Sequence, residues 1–407
     1  MSDNWLSEAL ENAQPFYGET DENNLIEKLL NAIDRIGFSE EERPIALGAA
    51  FDLLVAAEYY GVVGHIGWLY CEPPEPFLIY PYTNTCPRCI LKNTFAFHQA
   101  NKPKSGSIGA TTSRLLGRFV EVLLERKGIQ IDIFRGREPI DAIFVDRSTS
   151  PITLFFAEIK ASPLVTLPLA TKTQALLSES SEPEDFTHRE TDLTTLFDKE
   201  LFILLPQTQD DNLWQANLFT LGTKKNPQDT HWAYRGLSNL LNDENFFSKY
   251  MSFWRAAFVT YEHRHTGSSV YWLTNGCGQP VPRPDDWPRR SGTGYESISD
   301  AKTSVGMDRT DDIKKATYQV LKLGAEGKPA ADYDYKVGIV SNINAVRHFD
   351  EYLNALKDIV WTREETGEIS KVGDLDPETE LFNLFDGIVT LTSTLARDKW
   401  VKRVFRL

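Results

Sequence analysis

Three side chains between residues 141 and 160 have the types and spacing of a metal-assisted hydrolytic centre. In "EPIDAIFVDRSTSPITLFFAEIKASPL" (138–164), two apolar runs flank a polar turn, which predicts a β-hairpin. Asp141 opens the first run, and Glu158 and Lys160 close the second. "ITLFFA" is long enough for a strand buried on both faces. An acid and a lysine at its end are costly to desolvate unless something compensates, and a divalent cation would. A hairpin of this length brings Asp141 beside Glu158. Their carboxylates are hard oxygen donors suited to Mg²⁺. A neighbouring lysine can orient or deprotonate an attacking water, or stabilise charge on a phosphorane.

Spacing alone is weak evidence. The acid-x-lysine pattern occurs six times, at Glu125, Glu158, Asp300, Asp312, Glu326 and Asp334, and most of these are expected to be surface charge pairs. Asp334–Lys336 is the best rival, because "YKVGIV" reads as a strand, but its upstream acids fall on a predicted helix.

A second constellation is Cys71-x₁₄-Cys86-x₂-Cys89-x₈-His98. The Cys-Pro-Arg-Cys knuckle aims two thiolates at one point. Cys71 and His98 complete a Cys₃His tetrahedron suited to a structural Zn²⁺, with His65 as the alternative fourth ligand. The bland reading is three buried reduced cysteines and a surface histidine. A thioredoxin-like role lacks its strand–CxxC–helix context and leaves Cys71 unexplained.

The elements that must position these groups follow from periodicity. Residues 3–60 read as helical, with one helix ending at Gly37 and another capped at Ser39. "SRLLGRFVEVLLERKG" predicts a helix capped by Thr112 or Ser113. Strands are expected at "IQIDIFRG", "IDAIFVD", "ITLFFAEIKA", "KELFILLPQ", "SSVYWLTNG" and "YKVGIVSN". Further helices are expected over 236–259, from near Thr310, and over 343–360 and 376–405. The mixture predicts an α/β or α+β fold. The expected organisation is a helical region (1–68), a zinc knuckle (69–100), a catalytic core (101–260) and a recognition and C-terminal α/β region (261–407).

The 407 residues carry a net charge of −15, 41% hydrophobic and 25% charged residues. This is ordinary globular composition, and the chain is expected to be soluble and cytoplasmic. The acidic balance argues against a non-specific polyanion binder, so any nucleic-acid cleft must be locally basic. Lys102, Lys104, Arg114 and Arg118 accompany a Gly/Ser loop that feeds a helix, which suits a phosphate or equally a flexible loop. Arg283, Arg289 and Arg290 in an irregular loop suit base or backbone contacts, or incidental surface charge. Arg309 and Lys314 stand near a predicted helix start. No long uninterrupted apolar segment predicts a membrane span, and no GxxxxGK[ST] motif predicts a nucleotide cofactor.

Pro139-Ile140-Asp141 with Glu158-Ile159-Lys160 resembles the signature of the PD-(D/E)XK nucleases, with one extra residue between proline and aspartate. The chain as a whole resembles type II restriction endonucleases, most nearly the ApaLI-like group. The resemblance implies a restriction-endonuclease-like mixed sheet flanked by helices, and Mg²⁺ held by Asp141 and Glu158 with Lys160 assisting. It implies a further acid from the preceding helix, Glu121 in preference to Glu125. It also implies a homodimer cutting double-stranded DNA to leave 5′-phosphates. The alternatives are a non-catalytic zinc-containing DNA-binding protein and a repair or RNA nuclease of the same fold.

Overall fold

The computed structural model describes residues 11–61, 69–71, 77–80, 105–171, 188–190, 198–209, 213–265, 268, 270–275, 305–346, 348–363 and 372–406. Strand β1 (Gln14–Pro15) precedes helices α1 (Thr20–Ile36) and α2 (Arg43–Gly61). Strands β2 (Leu69–Cys71) and β3 (Phe77–Tyr80) come before the long helix α3 (Ser105–Arg126). Then follow β4 (Asp132–Arg135), β5 (Ala142–Asp146), β6 (Thr153–Lys160), β7 (Leu169–Thr171), β8 (His188–Glu190), β9 (Glu200–Gln209) and β10 (Leu213–Thr223). Helices α4 (Trp232–Leu240), α5 (Glu244–Glu262) and α6 (Thr310–Gly327) lead to β11 (Asp334–Ser341). The chain continues through β12 (Val360–Trp361), β13 (Phe382–Asn383), β14 (Gly387–Thr390) and β15 (Leu395–Ala396) to helix α7 (Lys399–Val404).

The chain forms two compact units, each drawn from separated segments. The first takes 1–17, 111–161 and 306–407, and the second takes 18–110 and 162–305. The contiguous core expected over 101–260 therefore shares the first unit's sheet with strands from beyond residue 333.

That sheet is mixed and seven-stranded, in the order β1-β4-β5-β6-β11-β14-β15. β4, β5 and β6 pair antiparallel, whereas β6–β11 and β11–β14 pair parallel. β6 is central and buried along nearly its whole length, as its apolar run requires. Alternation along the strands builds two faces. Ile143, Val145, Leu154, Phe156, Val337 and Ile339 share one core with Ile313, Ala316, Val320 and Leu323 of α6. On the other face Phe144 and Phe155 pack with Trp400 and Phe405 at ring distances of 5.3–6.0 Å.

The second unit holds a six-stranded sheet, β10-β9-β7-β3-β2-β8, whose strands all pair antiparallel among the described residues. Helix α2 is apolar nearly all round and correspondingly buried. Its Asp52 accepts hydrogen bonds from the backbone N–H groups of Leu164 and Val165 (both 2.9 Å) and from Trp254 Nε1 (2.7 Å). Burial nevertheless pushes this carboxyl up to about 8.

Several elements differ from the sequence reading. Thr112 does not cap α3, because the helix already starts at Ser105. Its buried hydroxyl donates instead to Ala161 O (2.7 Å), tying α3 to the end of β6. The helix expected over 236–259 breaks at 241–243, where Asp243 caps α5 by accepting from Asn245 N. Within "SSVYWLTNG", Tyr271–Leu273 form a 3₁₀ turn rather than a strand, with Tyr271 N donating to Ser268 O and Leu273 N to Val270 O. The helices expected over 343–360 and 376–405 are replaced by a π-helical turn (Phe349–Leu353), strands β12–β15 and the short α7. There, sheet pairing of the β-branched Ile388, Val389 and Thr390 overrides the helical pattern.

Candidate active site

The β5–β6 ladder runs from Asp146 opposite Thr153 to Ala142 opposite Ala157. Continued by one residue, it places Asp141 opposite Glu158. The Asp141 carboxylate turns across the hairpin, and its Oδ2 accepts from Ile159 N at 2.9 Å. Glu158 and Lys160 lie on the same face as Leu154 and Phe156, at the point where the core under α6 ends. Lys160 Nζ meets Glu158 Oε1 at 2.5 Å and lies 3.9 Å from Asp141 Oδ2.

These groups line a cleft of about 340 Å³ with Glu138 and Pro139, and α6 contributes Lys315, Tyr318 and Gln319 to the lining. Glu158 is only 7% exposed. Its burial, and then repulsion from the Asp141 carboxylate, raises its carboxyl to about 7. Burial opposes the charge on Lys160, but the two carboxylates more than offset this and hold its pKa above the ordinary lysine value. Asp312 of α6 is raised by burial, against the opposing pull of Arg309 and Lys160.

The donor set fits Mg²⁺. A buried carboxylate is pushed towards protonation beside a second carboxylate, and an added cation would relieve both effects. Two carboxylates also match an ion that keeps waters and takes substrate phosphate oxygens to complete its shell. Among the described residues, no group of three or more His, Cys, Asp or Glu side chains is arranged to hold a metal.

The other expected site residues that the structure describes do not line this cleft. Glu121 is outside the cleft lining and is held in an ion pair by Arg118 of the same helix. Arg114 donates to Tyr17 O (3.4 Å). Arg309 lies 3.7 Å from Asp311, and the Lys314 ammonium stands 5.2 Å from the centre of the Tyr352 ring. The rival Asp334–Lys336 pair occupies the opposite sheet face. There Lys336 Nζ donates to Asp334 (2.9 Å) and to Asp398 (2.8 Å), the residue that caps α7. This is a structural ion-pair cluster. Cys71 lies in β2, while Cys86, Cys89, His98, His65, Lys102, Lys104, Arg283, Arg289 and Arg290 lie outside the described residues.

Sequence reasoning missed Lys315, Tyr318 and Gln319. The available signal was helical spacing: with α6 starting at Thr310, residues 312, 315 and 319 fall on one stripe. Among the described residues, no helix is long and apolar enough to cross a membrane. Comparison with family models, curated proteins and solved structures finds no significant match to the chain.

Proposed function

We propose that the protein is a Mg²⁺-dependent endonuclease of double-stranded DNA, similar to the type II restriction enzymes of the PD-(D/E)XK class. The observation that carries this reading is the convergence of Asp141, Glu158 and Lys160 at the end of a central sheet hairpin. A restriction-endonuclease-like fold is consistent with that mixed sheet and its flanking helices. Asp141 and Glu158 would hold the cation, which when bound polarises a phosphoryl oxygen and acidifies a coordinated water.

Lys160 takes the part of a charge donor. Both carboxylates keep its Nζ protonated, so it holds a hydrogen bond towards the attacking water or a non-bridging phosphate oxygen. Ile159 N–H fixes the Asp141 carboxylate and so orients one ligand. Water oxygen bonds to phosphorus, the P–O3′ bond breaks, and the products are a 3′-hydroxyl and a 5′-phosphate. A homodimer would present one such centre to each strand. A structural Zn²⁺ on Cys71, Cys86, Cys89 and His98 belongs to the same reading.

The test is incubation with phage or plasmid DNA and Mg²⁺. Discrete fragments are expected, and Asp141→Asn, Glu158→Gln and Lys160→Ala should each lower the rate by ~10² or more while thermal unfolding shows a folded protein. Cleavage at the normal rate by the first two variants would move the active site elsewhere. DNA binding with no cleavage under any divalent cation would leave a non-catalytic DNA-binding protein.

A further inference from the structure

The lining of the cleft is chemically two-sided. The hairpin brings two acids and Lys160, whereas α6 brings a lysine, a tyrosine and an amide. From Ile313 to Ala325, α6 contains three lysines and no acid, in a chain whose net charge is −15. Lys314 is engaged with Tyr352, but Lys315 and Lys322 are exposed, and neither forms a salt bridge among the described residues. They stand seven positions apart, two helical turns, and therefore on one stripe. Tyr318 lies between them, 64% exposed. A tyrosine ring so exposed suits the apolar face of a sugar.

We infer that this stripe of α6 is a phosphate rail for the substrate strand. Lys315 takes a phosphate beside the scissile one, Tyr318 packs on the intervening sugar, and Lys322 takes a phosphate further along. A rise of 1.5 Å per residue separates the two lysines by roughly 10 Å along the helix, a span that their long side chains can match to neighbouring phosphates of one strand. The rail would set which phosphate reaches Asp141 and Glu158. It carries no base information, because its contacts are to backbone alone.

The inference rests on the nuclease reading, and the experiment separates the two. DNA binding is measured with Ca²⁺ replacing Mg²⁺ over a range of salt concentrations, and cleavage is measured with Mg²⁺. Variants are Lys315→Ala, Lys322→Ala, the double variant, Lys315→Arg and Asp141→Asn. Each alanine should reduce the slope of log affinity against log salt by ~1, and the pair by ~2. At low substrate concentration, cleavage by Lys315→Ala should fall about tenfold through KM more than kcat, and Lys315→Arg should recover most of that loss, as for a phosphate contact. Unchanged salt slopes together with an inactive Asp141→Asn would overturn the rail and leave the nuclease standing. Full activity of Asp141→Asn would overturn the nuclease reading, and the rail with it.

Discussion

Glu158 couples the fold to pH and, on the proposed reading, to metal. Its carboxyl titrates at about 7 in the folded chain and near the ordinary glutamate value when unfolded. Without a cation, the folded form therefore favours the protonated acid. That stability is fully present below the unfolded value and is lost as pH rises through about 7. A bound cation needs the ionised form and reverses the preference. Cleavage should then fall about tenfold per unit on the acid side of the titration. The half-point should lie near 7 at limiting Mg²⁺ and move lower as Mg²⁺ is raised, because proton and cation compete for one carboxylate. Rate profiles at two Mg²⁺ concentrations check this, and a half-point indifferent to Mg²⁺ would contradict it. The rival triplet makes the contrasting prediction. Lys336→Met leaves Asp334 and Asp398 without their shared cation and should cost ~1–3 kcal/mol. Denaturant titration measures that loss, and the cleavage rate should be unchanged. The spacing of Asp141, Glu158 and Lys160 was legible in the sequence because a strand has a strict period of two. Which of two acid-x-lysine triplets faces α6 was not, since that depends on pairing partners far along the chain.

At the scale of elements, the centre of the first sheet depends on a residue with no side chain. Gly338 pairs with Gly387 in the β11–β14 ladder. A methyl group there would lie 2.2 Å from Gly387 O and 2.7 Å from the Phe155 ring. Gly338→Ala should therefore destabilise by about 1–3 kcal/mol, as overpacking of a closed core does, although alanine has the higher strand propensity. A lowered Tm checks it, and a neutral or raised Tm would show that the ladder can yield. Hairpin β5–β6 and helix α6 could be read from sequence because their signals are local: alternating apolar residues with a polar turn, and helical spacing after Thr310. The failures concern segments whose pattern suits more than one state. "GIVTLTSTLARDKWVKRV" contains apolar residues at helical intervals, yet β11 offers its first residues a parallel partner. "SSVYWLTNG" has strand-forming residues, but among the described residues its backbone makes only turn and loop hydrogen bonds.

For the whole molecule, the net charge of −15 and the two-unit organisation set different constraints. The charge requires that affinity for a polyanion be concentrated in a few lysines and arginines, and it was plain from composition. The organisation was not, because β6 and β11 pair across a separation of 181 residues, from Thr153 to Asp334, and no local feature announces such a contact. The zinc knuckle is a whole-molecule question too, since a structural ion is held only by a folded chain. The purified protein should contain about one equivalent of Zn²⁺ per chain, and Cys86→Ser should lower Tm more than it alters the residual cleavage rate per folded molecule. Metal analysis of freshly purified protein decides this, and absence of zinc would remove the knuckle.

The parallel β6–β11 pairing also has a consequence during synthesis. Glu158 and Lys160 leave the ribosome well before their parallel partner β11 exists. At about 5–20 residues per second, the 181 residues between the partners take roughly 9–36 s to make. Over most of that interval α6 is absent as well, so the acids and lysine have neither the parallel strand β11 nor the far lining of their cleft. If the centre cuts DNA as proposed, it would stay unassembled until α6 and β11 had both been made.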